Sequence, residues 1–163
     1  MSMRAEVVVA SNRAAAGVYE DTTGPLIVDF LQELGFAVDA PVVVPDGEPV
    51  GAAIRAAADG GARVVLTTGG TGLTPTDRTP EATRALLDRE VPGMAEAIRA
   101  YGVAQGVPTA VLSRGVAGVV GYCLVVNLPG SRGGVKDGLA VLRPVLVHAA
   151  EQVLGSDHAR TEP

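Results

Sequence analysis

Three times in the first half of the chain the same succession occurs: a short apolar run, a polar loop rich in glycine or proline, then apolar residues at helical spacing. Glu6-Val7-Val8-Val9-Ala10 stops at Ser11-Asn12-Arg13, and after Thr22-Thr23-Gly24-Pro25 the residues Leu26, Ile27, Phe30, Leu31 and Leu34 recur at helical intervals up to Gly35. Val42-Val43-Val44 gives way to Pro45-Asp46-Gly47-Glu48-Pro49, followed by Val50, Ala53, Ile54 and Ala57 before Gly60-Gly61. The third run, Arg63 to Thr68, enters Gly69-Gly70-Thr71-Gly72 directly. Short apolar runs alternating with amphipathic helices imply a mostly parallel sheet with helices on both faces. The expected fold is a three-layer α/β/α sandwich, Rossmann-like.

The second half extends the pattern. Thr79 reads as an N-cap with Pro80 in the first turn and Glu81 favourable to the helix dipole. A further helix follows Pro92 and reaches about Ala104, and Val116 to Val120 and Tyr122 to Val126 read as strands around Gly121. A last helix carries Val135, Leu139, Leu142, Leu146 and Val153, with Pro144 marking either a kink or a break into two helices. Residues 1–155 are expected to form one domain, with 156–163 a disordered tail.

Composition narrows the function classes. Hydrophobic residues make up 47% of the 163 and aromatics only 3%, so the core must be aliphatic. Cys123 is the lone cysteine, which excludes an internal disulfide, and with His148 and His158 it makes no zinc set. A reducing cytoplasm is the expected compartment. No apolar run approaches the about 18 residues that span a bilayer, so no membrane association is expected. A net charge of -5 repels a phosphate backbone and argues against nucleic-acid binding. Lys136 is the single lysine among 13 cationic residues, so phosphate recognition would rely on arginine forks, backbone N–H groups or a metal ion.

In open parallel sheets, ligands bind beyond the carboxyl ends of the strands. The polar clusters around Ser11, Asp46, Gly69 to Asp77 and Asn127 to Gly134 all follow strands, so four loops become one candidate site. Gly69-Gly70-Thr71-Gly72 can form an anion nest or a simple turn. It is neither a Walker A loop nor a G-x-G-x-x-G fingerprint. Asp46 and Asp77 could hold Mg²⁺ beside such a nest, or serve as turn and cap residues. Ser113-Arg114 and Ser131-Arg132 each pair a hydroxyl with a guanidinium, suited to an oxyanion or merely solvated. Cys123 reads as inert core. No nucleophile and base pattern is present, which favours phosphate positioning over covalent hydrolysis.

Several ordered motifs together resemble the Mog/MoaB family of molybdenum-cofactor biosynthesis proteins: SNRAAAGVYEDTTGP at 11–25, VVPDGEP at 43–49, TTGGTGLTPTDRTPEAT at 67–83, PTAVLSRGVAG at 108–118 and NLPGS at 127–131. The resemblance implies a cytoplasmic homotrimer that binds molybdopterin and ATP and, with Mg²⁺, transfers AMP to the terminal phosphate of the pterin. It assigns Asp46 and Asp77 to metal and catalysis, and Gly69, Gly70, Thr71 and Gly72 to phosphate. Ser11, Ser113, Arg114, Asn127, Pro129, Gly130 and Ser131 are the further substrate-binding residues it implies. Where the family often has arginine this chain has Thr76, with Arg78 following Asp77, and Gly47 follows Asp46 in place of an acidic residue. A non-catalytic molybdopterin carrier is the alternative within the resemblance, and a nucleotide-related hydrolase a third reading.

Overall fold

The computed structural model describes residues 2–18 and 20–155; the expected tail at 156–163 lies outside them. The elements follow the order β1 (Arg4–Ala10), α1 (Asn12–Ala15), α2 (Thr23–Glu33), β2 (Ala37–Val38), β3 (Val42–Val44), α3 (Glu48–Asp59), β4 (Val64–Thr68) and α4 (Thr79–Arg84). Then come β5 (Arg89–Glu90), α5 (Pro92–Ala104), a 3-10 helix (Pro108–Leu112), β6 (Ala117–Val120), β7 (Cys123–Leu128), α6 (Arg132–Leu142) and α7 (Leu146–Val153).

The sheet order is β2-β1-β4-β7-β6-β5. β2 and β3 both pair with the free side of β1, β2 against Arg4 and Ala5 and β3 against Val8 to Ala10, so they are two pieces of one edge. β1, β3, β4 and β7 are parallel; β6 runs antiparallel to β7 and β5 to β6.

Strand alternation explains why the runs read as continuously apolar. Val7, Val9, Val64, Leu66, Leu124, Val126 and Leu128 face one core with Ile27, Phe30 and Leu31 of α2, Ile98 of α5 and Val135, Leu139 and Leu142 of α6. Val8, Ala10, Val65, Cys123 and Val125 face the other core, against Val50, Ile54 and Ala57 of α3. Both faces are covered, and the three-layer α/β/α sandwich is the observed fold.

Two local expectations are refined. The last helical stretch is two helices, because Pro144 cannot continue the hydrogen-bond ladder between Leu142 and Leu146. The strands around Gly121 form an antiparallel hairpin whose turn glycine has φ 58°. The edge strands β2 and β5, two residues each, carry too little pattern to be read from sequence.

Cys123 is 1% exposed, and burial pushes its thiol from the ordinary 9.0 up to about 12. Between pH 9 and 12 the unfolded chain loses this proton while the folded chain keeps it, so stability should fall with rising pH across that window. At pH 8 a thiol reagent should leave the native protein unlabelled and label the denatured protein once per chain. Rapid native labelling would contradict the packing.

Candidate active site

Because β1, β3, β4 and β7 are parallel, the loops at their carboxyl ends meet along one edge of the sheet. Specific bonds join them. The Asp46 N–H donates to Asn12 Oδ1 at 3.0 Å, the Gly69 N–H to the Leu128 carbonyl at 3.3 Å, and the Thr68 hydroxyl to the Pro129 carbonyl at 2.7 Å.

The glycine loop turns sharply where it leaves β4. Gly69 and Gly70 have φ of 90° and 68°, the left-handed region in which a side chain is strained. A Cβ on Gly69 would collide with the Ala10 carbonyl oxygen, and one on Gly70 with the Asp46 carboxylate and the Thr79 hydroxyl. Among the described residues none accepts a hydrogen bond from the N–H groups of Gly70, Thr71 or Gly72. Those donors remain for an anion.

Asp46 and Asp77 flank this loop. Asp46 Oδ1 accepts from the Gly47 N–H at 2.7 Å and the Thr79 hydroxyl at 2.8 Å, and its Oδ2 accepts from the Arg78 N–H at 3.0 Å. The expected N-cap at Thr79 is thereby corrected: Arg78 holds the cap position without a side-chain bond, and Thr79 is the first helical residue. A carboxylate brought from another loop accepts more strongly than a hydroxyl and complements the helix dipole. Asp77 Oδ2 accepts from the Thr74 N–H at 3.1 Å, closing a turn, while no bond among the described residues engages its Oδ1. A Cβ on Gly72 would lie 2.9 Å from Asp77 Oδ2, which places that carboxylate against the loop.

Beside the loop opens a cleft of about 780 Å³. Of the expected residues, Gly70, Thr71, Gly72, Asp77, Ser113, Pro129, Gly130 and Ser131 line it. Ser11 and Gly69 instead line a second depression of about 390 Å³ that shares Gly130 with the cleft, and the Ser11 hydroxyl caps α1 by accepting from the Ala14 N–H at 3.1 Å. Ser131 caps α6, accepting from the Gly134 N–H at 3.0 Å.

Besides Ser11 and Gly69, three expected site residues lie off the cleft. Asp46 supports the loop from behind. Arg114 is bound to the loop backbone. Asn127 is 3% exposed; its Oδ1 accepts from the Val116 N–H at 3.1 Å and its Nδ2 donates to the hydroxyls of Thr67 and Thr83 at 2.9 and 3.1 Å. Strand alternation accounts for this. Asn127 shares parity with Cys123 and Val125, which face α3, whereas the cleft is walled by α5 and α6 on the opposite face.

Sequence reasoning did not single out Arg99 on α5, Leu73, or Lys136 and Asp137 on α6, all of which line the cleft. The available signal was the singularity of Lys136, which places a cation about a turn and a half beyond the Ser131 cap.

A model of the family described as "Probable molybdopterin binding domain" matches residues 6–148. The chain belongs to the Mog/MoaB family of molybdenum-cofactor biosynthesis proteins. A molybdenum cofactor biosynthesis bifunctional protein from Synechococcus elongatus is 42% identical over 94% of this chain and 48% of its own length. A molybdopterin adenylyltransferase from Pyrococcus furiosus is 37% identical over 87% of this chain and 86% of its own. The structure of the molybdopterin biosynthesis Mog protein from Mycobacterium ulcerans is 51% identical, with a TM-score of 0.89 over 93% of this chain and 99% of that one. The chain spans about half the length of the bifunctional relatives. Within the Mog/MoaB domain, then, the cleft and its glycine loop belong to the region the family model covers.

Proposed function

We propose that the chain transfers AMP from ATP to the terminal phosphate of molybdopterin. The pterin phosphate oxygen forms a bond to the α-phosphorus of ATP, the bridging bond to the β-phosphate breaks, and pyrophosphate leaves. The observation that carries this reading is that Gly70, Thr71 and Gly72, whose N–H groups have no acceptor among the described residues, line the cleft together with Asp77. The similarity to a protein named molybdopterin adenylyltransferase supports it. The reaction needs alignment and charge neutralisation more than a protein nucleophile, in keeping with this lining. Lys136 and Arg99 add positive charge to the walls.

Mg²⁺ fits these residues as an ion completed by substrate. Among the described residues no cluster of three or more His, Cys, Asp or Glu side chains could hold a metal alone. Mg²⁺ is commonly held by one or two carboxylates together with phosphate oxygens and water. Asp77, on the cleft wall with an uncommitted Oδ1, would supply the protein ligand, while the Asp46 carboxylate, off the cleft and engaged in three hydrogen bonds, would hold the loop behind it. When bound, the ion would neutralise phosphate charge. The chain's own part is to present N–H donors, hold the two phosphates in line and keep Asp77 in place.

Incubating the protein with molybdopterin, ATP and Mg²⁺ should release one pyrophosphate per adenylylated pterin. Release independent of molybdopterin would overturn the reading. A non-catalytic molybdopterin carrier is favoured by one observation, the engagement of the Asp46 carboxylate in three hydrogen bonds. That reading predicts pterin binding with no association of ATP·Mg²⁺ by calorimetry. The family resemblance supports a cytoplasmic homotrimer; sedimentation as a monomer would remove that part of the proposal.

A further inference from the structure

We propose that Arg114 is a positioning residue whose guanidinium fixes the distance between the glycine loop and Asp77 without touching substrate. Its catalytic consequence rests on the adenylyl-transfer reading, but the clamp has a readout that does not.

Each of the three guanidinium nitrogens donates a hydrogen bond to the loop or to α4. Nε donates to the Gly72 carbonyl at 2.8 Å, Nη2 to the Asp77 carbonyl at 2.9 Å, and Nη1 to Glu81 Oε1, while the Arg114 backbone N–H donates to the Thr71 carbonyl at 2.8 Å. One planar fork thus bridges both ends of the segment 72–77. A rigid fork can fix two carbonyls at once; a lysine ammonium, on a flexible stem, cannot hold the same two points with equal precision. Arg114 lines a separate depression of about 330 Å³, not the cleft, whereas its neighbour Ser113 lines both.

Glu81 holds the fork from α4. Its carboxyl is kept below the ordinary 4.5 chiefly by the hydrogen bond from Arg114. The start of α4 is in turn held by Asp46 through the Arg78 N–H and the Thr79 hydroxyl. Asp46, α4, Glu81 and Arg114 therefore form a brace behind the loop, with Asp77 at its front. A displacement of about 1 Å at a reacting group can cost on the order of 10²-fold in rate, so such a brace bears on the chemistry without contacting it.

Two measurements on Arg114→Ala test this. In hydrogen exchange, the amides of Thr74, Asp77 and Thr79 should exchange at least about tenfold faster while those of β4 are unchanged, as expected for local opening. In turnover, kcat should fall by about 30- to 100-fold with the KM for molybdopterin within about threefold, because the lost interaction positions a group instead of binding substrate. Adding Asp77→Asn to Arg114→Ala should lower the rate by no more than about threefold beyond Asp77→Asn alone, since the two act through one group. Methylguanidinium should partly restore the rate of the alanine variant. If alanine prevents folding, Arg114→Lys should show the same localised exchange to a lesser degree. Unchanged loop exchange would overturn the clamp. A raised KM with retained kcat, or losses that multiply in the double variant, would overturn positioning in favour of direct substrate contact. Absence of pyrophosphate release from the unaltered protein would defeat the adenylyl-transfer reading while the exchange result still decides the clamp.

Discussion

Asp77→Asn should slow pyrophosphate release by about two to three orders of magnitude, the size of loss seen when an aligned charged or hydrogen-bonding group is removed at a centre of developing charge. The fold should tolerate the change. An asparagine carbonyl can still accept from the Thr74 N–H, which Asp77 Oδ2 engages at 3.1 Å, and the Asp77 backbone N–H keeps its bond to the Thr74 carbonyl at 3.0 Å. What disappears is the negative charge, including the Oδ1 that no bond among the described residues occupies. A thermal midpoint within about 2 °C of the original is therefore expected, since a surface-accessible change of this kind costs about 0.5 kcal/mol or less. Steady-state pyrophosphate assays beside a thermal melt separate the two effects. A rate within threefold of the original would remove Asp77 from the chemistry.

The second large effect is on stability. Gly70→Ala combines a left-handed φ of 68° with a Cβ that would collide with both the Asp46 carboxylate and the Thr79 hydroxyl. The conformation alone costs about 1–2 kcal/mol, and displacing Asp46 forfeits hydrogen bonds worth about 1 kcal/mol each or more, so a total of about 3 to 5 kcal/mol is expected. For a domain of this size that lowers the thermal midpoint by about 6 to 20 °C. Gly133→Ala supplies the contrast. A Cβ there meets nothing within 4 Å and φ is not positive, so the substitution within α6 should be neutral or slightly stabilising. Equal effects from the two substitutions would contradict the account of the loop.

The sheet was legible because its signal is local. β1, β3 and β4 are short apolar runs that end in polar or glycine-rich loops; β1 and β4, covered on both faces by helices, need almost no polar residue until their ends, while the edge piece β3 is only partly buried. The convergence of Ser11, Asp46, Gly69 and Pro129 followed from parallel strands ending together. Direction within the site was harder. Asn127 belongs to the NLPGS motif, but its place in the strand turns it toward Thr67 and Thr83, and only strand parity combined with the positions of the helices reveals that. Arg114 reads as an anion ligand in the sequence because nothing in its neighbours shows that Gly72, Asp77 and Glu81, distant in sequence, accept a bond from each of its guanidinium nitrogens. The same holds for Asp46, which substitutes for Thr79 as the acceptor at the start of α4. Long-range hydrogen bonds of this kind have no periodicity to read.

The claim on which the account depends is that the glycine loop and Asp77 together receive nucleotide phosphate. A crystal structure with Mn²⁺ and α,β-methylene-ATP, read by the anomalous signal of the metal, tests it most directly. The account predicts phosphate oxygens accepting from the N–H groups of Gly70 to Gly72 and a metal bound by Asp77 Oδ1. Nucleotide seated away from that loop, or a metal held without Asp77, would contradict it.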